Sequence, residues 1–170
     1  MNEQPVRLGW GHININVRDL DRSVAFYRQL GFEVLLPGIP YLDLEEGPET
    51  RPLPDAAARA LGVPAGTRGR ACIMQLDDGF PKIDLTEWAG DGQTAPPGNA
   101  DLGLVRLCLA SADLAGDVAR LTAQGVEFLS PPTDTHNGLA DVAVCRDPDG
   151  TLIELIQLHL ERWTLPAREG

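Results

Sequence analysis

The sequence predicts an α+β fold built from two tandem βαβββ modules. The main observation is an internal repeat, because residues 12–34 align without a gap with residues 106–128 at a constant separation of 94 residues. Each copy has the pattern of a strand, a helix and a second short strand, and two further strand-like segments follow it. Duplication of one supersecondary unit explains this agreement better than chance does.

Each copy begins with an alternating strand and continues into an amphipathic helix. Apolar and polar residues alternate at the start of both copies, which is typical of a half-buried strand. Asp19 and Asp113 then stand where a helix N-cap is expected. Gly31 and Gly125 follow the last helical residue, at the position where glycine ends a helix. A short strand is expected after each of these glycines.

Two more strands complete each module. They are predicted at residues 70–76 and 82–88 in the first module, and at residues 140–146 and 151–158 in the second. The sequence DPDG at 147–150 is a strong turn signal between the last two strands.

The predicted domains are a first module at 8–90, a linker at 91–100 and a second module at 101–160. The motifs IDL and IEL in the final strands are 70 residues apart rather than 94, so the first module carries 24 extra residues. These lie within 37–69, a segment rich in proline and glycine with a short helical stretch near 54–62. We refer to residues 37–69 as the insert.

Composition narrows the range of partners. The net charge of −11, from 14 basic and 25 acidic residues, makes nucleic acid a poor partner because its phosphate backbone is also anionic. No apolar run approaches the roughly 20 residues that span a bilayer, and the first residues lack a signal-peptide pattern. We therefore expect a cytoplasmic protein that contacts no membrane.

The three cysteines are expected to be buried free thiols. Cys72, Cys108 and Cys145 each lie within an apolar strand-like run, and the sequence contains no CxxC motif. Metal ligation and disulfide formation are the alternatives, and both are less favoured by this context.

Two motifs carry a resemblance to a known family. DLDRSVAFYRQLGFEV follows the first strand, and DPDGTLIEL lies near the end of the second module. Together they resemble the vicinal oxygen chelate superfamily over residues 8–160, which includes glyoxalase I, methylmalonyl-CoA epimerase, extradiol dioxygenases, fosfomycin-resistance enzymes and bleomycin-binding proteins. The resemblance implies that each mixed sheet curves into half of a cup. It also implies metal ligands on the first and last strands of both modules, and the matching positions are His12, Asp84, Arg106 and Glu154.

Strand parity independently supports three of these positions. His12 faces away from the apolar side of its strand, and Asp84 and Glu154 each stand between apolar neighbours. Burial of such groups is costly unless they are paired, and a divalent Zn, Fe, Mn, Co or Ni ion suits imidazole and carboxylate ligands. We therefore predict His12, Asp84 and Glu154 as metal ligands. Glu87 is a competitor for Asp84, which ranks first because it aligns with Glu154.

Arg106 departs from the pattern of the metal-binding relatives. A guanidinium stays protonated and cannot ligate a cation. Arg106 is therefore expected either to pair with Asp84 or Glu154 or to hold an anionic group of the substrate. The site then has at most three protein ligands, or no metal at all.

The remaining predicted substrate-binding residues are polar or aromatic positions on the same strands. Asn14 and Asn16 share the face of His12, and Trp88 is read as a pocket wall. Hydrogen-bonded support for the asparagines and a core position for Trp88 are the alternatives.

The leading functional hypothesis is a metal-dependent lyase, isomerase or epimerase of a small oxygenated metabolite. Its chemistry would pass through an enolate-like intermediate, with Glu154 or Asp84 moving the proton as general base. A metal-free drug- or metabolite-binding (resistance) protein is the alternative, and Arg106 favours it. A dioxygenase is a further alternative, although those enzymes typically keep a second histidine where Arg106 stands. A homodimer is the preferred assembly, with a monomer that holds both modules as the other option.

Overall fold

A computed structural model of the chain describes residues 7–90 and 94–163. Contacts divide the chain into two compact units, the first within residues 1–93 and the second within residues 94–170. Both units combine helices with a mixed sheet, so the predicted α+β class is confirmed.

The first unit is a βαβββ module with short elements added in the insert. Its elements are β1 (His12–Val17), α1 (Leu20–Gln29), β2 (Phe32–Leu36), β3 (Gly38–Ile39), β4 (Leu44–Glu45), β5 (Arg51–Pro52), α2 (Asp55–Leu61), β6 (Arg68–Leu76) and β7 (Lys82–Trp88). The main sheet has the order β1-β7-β6-β2, with β1 parallel to β7 and β5 paired to β6 at one end. A 3-10 turn at Pro40–Leu42 connects β3 to β4.

Helix α1 begins and ends as the sequence predicts. A side-chain oxygen of Asp19 accepts a hydrogen bond of 3.0 Å from the backbone N–H of Arg22, which satisfies one of the free donors at the helix start. Gly31 follows the helix at φ +93°, a conformation that other residues adopt only with strain. The helix buries Leu20 and Tyr27 completely, and such burial contributes about 1.5–3 kcal/mol for a large apolar side chain.

The insert packs on the face of the sheet opposite α1. Ala71 and Ile73 of β6 share one face of the sheet and pack against residues of the insert. Cys72, between them in the strand, points to the other face. The predicted helical stretch near 54–62 corresponds to α2. A separate apolar cluster holds the insert on the sheet; its buried members are Ile39, Leu42, Leu44, Leu53, Ala58 and Ala71.

The second unit repeats the βαβββ order with fewer additions. Its elements are β8 (Arg106–Ala110), α3 (Leu114–Ala123), β9 (Thr133–Asp134), β10 (Ala140–Arg146) and β11 (Leu152–Leu158), followed by a 3-10 turn at Leu160–Arg162. The sheet has the order β8-β11-β10-β9, with β8 parallel to β11. Residues 91–93 of the predicted linker lie outside the described residues.

Local contacts in the second unit account for its helix start and its hairpin. Asp113 caps α3 by accepting a hydrogen bond of 3.1 Å from the N–H of Gly116. In the DPDG turn, a side-chain oxygen of Asp147 accepts from the N–H groups of Asp149 and Thr151 at 2.9 and 2.8 Å. These bonds bring β10 and β11 together in the predicted hairpin.

The short strand expected after Gly125 is reduced to a single bridge. Phe128 pairs with Cys145, and the N–H of Leu129 donates to the carbonyl of Val144 at 2.7 Å. Two prolines follow after Ser130, at 131–132. They have no backbone N–H, so they cannot donate the hydrogen bonds that would extend a strand. The edge of the sheet is instead completed by β9.

The expectation for the cysteines is wrong for Cys108. Cys72 and Cys145 are buried, and burial raises their thiol pKa values to about 12 and about 11. Cys108 is exposed, because it shares the polar face of β8 with Arg106 rather than the apolar face.

No helix among the described residues is long and apolar enough to span a bilayer.

Candidate functional site

A row of polar side chains lies on one face of the first sheet. Strands β1 and β7 are parallel neighbours, with Asn14 opposite Asp84 and Asn16 opposite Thr86. Alternate residues of both strands therefore point to the same side, away from α1. We call this set the polar face; it consists of His12, Asn14, Asn16, Asp84, Thr86 and Trp88.

Asp84 is the buried carboxyl of the polar face, with only 3% of its surface exposed. Its Oδ1 accepts a hydrogen bond of 2.7 Å from the hydroxyl of Thr86, and its Oδ2 lies 3.6 Å from Nε2 of His12. Burial raises the pKa of Asp84, although the Thr86 hydrogen bond, the His12 charge and Asn14 oppose this shift. A carboxyl with a raised pKa beside an imidazole is a common arrangement in functional sites.

The other polar-face residues support one another by hydrogen bonds. The side-chain amide of Asn14 donates to the Thr86 hydroxyl at 3.2 Å, and the indole N–H of Trp88 donates to Oδ1 of Asn16 at 3.0 Å. Both asparagines therefore make the supporting contacts that were one of their two predicted roles, and both also line a cavity. Sequence reasoning missed Thr86, although it has the same strand parity as Asp84 and Trp88.

The insert turns the polar face into a pocket of about 270 Å³. Its four lining residues from the insert are Tyr41, Leu42, Leu61 and Val63. Burial, followed by the charge of Asp84, raises the pKa of Tyr41. Sequence reasoning did not find these residues, because the insert has no counterpart in the second copy of the repeat.

Glu87, the competitor of Asp84, lies on the opposite side of the sheet. Its carboxylate accepts a hydrogen bond of 2.7 Å from the N–H of Leu20 at the start of α1. The same carboxylate forms an ion pair with Arg70 at 2.8 Å. Arg70 is buried and also contacts Asp21 at 2.8 Å. These contacts assign Glu87 to the support of the helix and of a buried guanidinium.

In the second unit, the equivalent positions form an ion pair. Nε of Arg106 donates to Oε2 of Glu154, and Nη1 of Arg106 donates to Asn99 at 3.0 Å. Oε1 of Glu154 lies 3.7 Å from the sulfur of Cys108. Of the predicted partners of Arg106, the structure therefore pairs it with Glu154.

The donor types of the first unit suit a divalent cation. His12 supplies an imidazole nitrogen and Asp84 a carboxylate oxygen from neighbouring strands, and both are ligands that Zn and related ions accept. Glu154, the third predicted ligand, belongs to the second unit and is held there by Arg106. Across residues 7–90 and 94–163, no three histidine, cysteine, aspartate or glutamate side chains are grouped as a metal site requires.

Comparison with known sequences identifies the family of this chain. Residues 9–155 match the model of the Glyoxalase/Bleomycin resistance protein/Dioxygenase superfamily. A lactoylglutathione lyase from Pseudomonas aeruginosa is 28% identical over 162 residues, which cover 89% of this chain and 83% of that protein.

Solved structures of low sequence identity share the fold. A glyoxalase family protein from Bacillus cereus superposes with a TM-score of 0.71 at 22% identity, over 93% of this chain and 98% of that one. A superfamily domain from Frankia sp. EAN1pec gives a TM-score of 0.60 at 22% identity, over 91% of this chain and 100% of that one. A glyoxalase I variant from Zea mays gives 0.55 at 20% identity, and this chain covers 43% of its length. At these identities the likeness concerns the fold alone.

Proposed function

Since the chain belongs to the Glyoxalase/Bleomycin resistance protein/Dioxygenase superfamily, we propose that it is a metal-dependent lyase or isomerase, epimerases included. Its substrate is a small oxygenated molecule that binds over the polar face. The relative from Pseudomonas aeruginosa, which is named as a lyase and aligns over 89% of this chain, supports this class of reaction. The observation that carries the proposal is the buried carboxyl of Asp84 beside His12 at the floor of a pocket.

In this proposal His12 and Asp84 of the first unit would hold a divalent Zn, Fe, Mn, Co or Ni ion, and Glu154 remains the third predicted ligand. Such an ion acts as a Lewis acid that stabilises negative charge on a substrate oxygen. The two carboxylates and the imidazole suit these metals, and the raised pKa of Asp84 indicates a buried group whose negative charge a cation would stabilise. Arg106 competes for Glu154, because the guanidinium already neutralises that carboxylate.

The reaction proposed is proton transfer at a carbon next to a carbonyl. A carboxylate removes the proton, the electron pair moves onto the carbonyl oxygen as an enolate, and the proton returns to the same or the neighbouring carbon. Asp84 or Glu154 acts as the base, and the raised pKa of Asp84 favours proton uptake by that carboxylate. Asn14, Asn16 and Trp88 position the substrate, and Arg106 anchors it if an anionic group is present.

Deuterium exchange tests this proposal without knowledge of the product. The full chain, supplied in turn with Zn, Mn, Fe, Co or Ni, is incubated in D₂O with 2-hydroxyacetophenone and other small α-hydroxy ketones, and loss of the α-proton signal is followed by NMR. We expect exchange above the protein-free rate, reduced at least about tenfold by Asp84→Asn. Glu33→Gln, which removes a carboxylate at an exposed position on β2, is the matched control. Exchange no faster than the protein-free rate with every metal would contradict the proposal.

Metal-free binding of a drug or metabolite is the second candidate, and the Arg106–Glu154 ion pair favours it. The guanidinium of Arg106 pairs with Glu154, which stands at a ligand position of the family, so this carboxylate has a counter-ion without a metal. Ligand binding that persists in a chelator without any deuterium exchange would support this candidate over the enzyme.

We further propose that the protein acts in the cytoplasm as a homodimer. Its net charge of −11 supports a small-molecule partner over nucleic acid. Sedimentation equilibrium of the full chain tests the assembly, and a mass equal to the 18.3 kDa of one chain would contradict it.

A further inference from the structure

The insert supplies three aliphatic side chains to the lining of the pocket, and we call these the apolar wall. Leu42, Leu61 and Val63 of the insert line the pocket together with the polar residues of the sheet. Leu42 is buried in the apolar cluster that fixes the insert to the sheet, and Val63 packs against the same cluster. Leu42 and Val63 are therefore held in place by the core of the first unit.

Among the described residues, those that line the pocket include no lysine and no arginine. The ionisable groups among these lining residues are His12, Asp84 and Tyr41. Lys82 is the neighbouring cation on the same strand as Asp84. Its ammonium donates to Gln75 at 2.9 Å and lies 4.9 Å from the ring centre of Phe80, so it is engaged elsewhere.

The polar and the apolar lining residues lie on different elements of the first unit. The groups able to meet reactive oxygens lie on the sheet, whereas the side contributed by the insert offers methyl groups and the phenol of Tyr41. An anionic group on the insert side would lose its hydration and gain no counter-ion there. An apolar group would instead remove the exposed surface of Leu61 from water.

We propose that the insert selects substrates that carry an uncharged apolar group, such as an aromatic ring, on the side away from Asp84. Leu61 is the specificity-determining residue, because it lines the pocket and 47% of its surface is exposed, so an apolar ligand group can cover it. This inference rests on the proposed function only in taking the polar face as the place where the substrate's oxygens bind. The ligands expected are those whose group on the insert side is apolar and uncharged, rather than charged.

Three related ketones test the inference by their affinities for the full chain, measured by calorimetry. 2-Hydroxyacetophenone carries a phenyl group, hydroxyacetone replaces the phenyl by methyl, and 4-(hydroxyacetyl)benzoate adds a carboxylate at the far end of the ring. We expect the first to bind about tenfold more tightly than the other two, because only it buries an uncharged ring. The order should hold both in a chelator and with added Zn, since the groups that differ lie on the insert side.

Leu61→Arg provides the decisive variant. The side chain is partly exposed, so the fold should tolerate the change, and the substitution adds a counter-ion for a carboxylate on the insert side of the pocket. We expect 4-(hydroxyacetyl)benzoate to gain at least about fivefold in affinity and 2-hydroxyacetophenone to lose affinity. Leu102→Arg, at a leucine that is 99% exposed in the second unit, adds the same charge as a control.

The outcomes separate this inference from the proposed reaction. Equal affinities for the three ketones, absence of binding, or a preference unchanged by Leu61→Arg would each overturn the inference. Retained preference without deuterium exchange would leave the inference standing and reject only the proposed reaction.

Discussion

The hydroxyl of Thr86 links Asn14 to Asp84, accepting from the amide of Asn14 at 3.2 Å and donating to Oδ1 of Asp84 at 2.7 Å. Thr86 is fully buried, so these bonds form away from water. The bond to Oδ1 fixes the carboxyl with Oδ2 on the side of His12. Thr86 is thereby a positioning residue for the group that the proposed reaction uses.

Replacing Thr86 with valine tests this positioning role. Thr86→Val keeps the shape of the side chain and removes the hydroxyl, so Asp84 loses a hydrogen bond that stabilises its charged form. We expect the affinity for Zn to fall about tenfold, as supporting residues around metal ligands typically contribute this much. Competition with a chromophoric chelator measures the affinity. Thr122→Val, at an exposed position of α3, is the control, and an equal affinity in both variants would contradict the role.

Removing Arg106 should strengthen metal binding if Glu154 is a ligand. Arg106→Met keeps an extended side chain but frees Glu154 from the guanidinium. Because the Arg106 side chain is 40% exposed, solvent weakens the pair, and we expect a gain in Zn affinity of about three- to tenfold. The control is Arg120→Met, which breaks an exposed pair with Asp117. Unchanged or weaker Zn binding in Arg106→Met would argue that Glu154 is not a ligand.

Asp84 and Glu87 should differ in their effects on stability. Asp84→Asn removes a carboxyl whose charged form is disfavoured by burial, so the free energy of unfolding at pH 7 should stay equal or rise. Glu87→Gln takes the charged partner from buried Arg70 and weakens the contact with α1, and it should cost about 1–3 kcal/mol. Urea unfolding measures both. A larger loss in Asp84→Asn than in Glu87→Gln would reverse the two assignments.

Alkaline pH should destabilise the fold through its buried thiols. Cys72 and Cys145 have pKa values raised to about 12 and about 11, from 9.0 for an ordinary thiol. Between pH 9 and 11 the unfolded chain therefore releases protons that the folded chain retains, so stability falls as pH rises. Each thiol contributes a slope of up to about 1.4 kcal/mol per pH unit.

Urea unfolding at pH 8, 9 and 10 under a reducing agent measures this slope. Cys145→Ala lowers the overall stability by removing a buried side chain, but it should also flatten the pH dependence above pH 9. The slope, rather than the absolute stability, is therefore the informative quantity. A slope that Cys145→Ala leaves unchanged would contradict the account.

Much of the fold and part of the site follow from local sequence patterns. The repeat of residues 12–34 at 106–128 predicts both modules, because the caps Asp19 and Asp113 and the glycines after each helix determine the same local structure twice. Period-two alternation also predicts which side of β1 and β7 is polar. It therefore predicts that His12 and Asp84 lie on the same face of the sheet.

The remaining features depend on contacts between distant residues. The insert has no second copy to compare with, so its place on the sheet and the positions of Tyr41 and Leu61 in the pocket follow only from tertiary packing. Cys108 stands in an apolar run, yet its strand parity with Arg106 exposes it. The strand expected beyond Gly125 fails because the following prolines remove its donors.

Metal content of the full chain tests the central claim most directly. Protein purified without chelators or metal-affinity resin is supplied with Zn, Mn, Fe, Co or Ni, dialysed, and analysed by mass spectrometry beside His12→Ala and the exposed-histidine control His136→Ala. The account predicts close to one equivalent of metal in the native chain and in His136→Ala, and loss of that metal in His12→Ala. No retained metal in the native chain with any of the five ions, or equal metal in His12→Ala, would contradict the metal-dependent reaction and favour metal-free ligand binding.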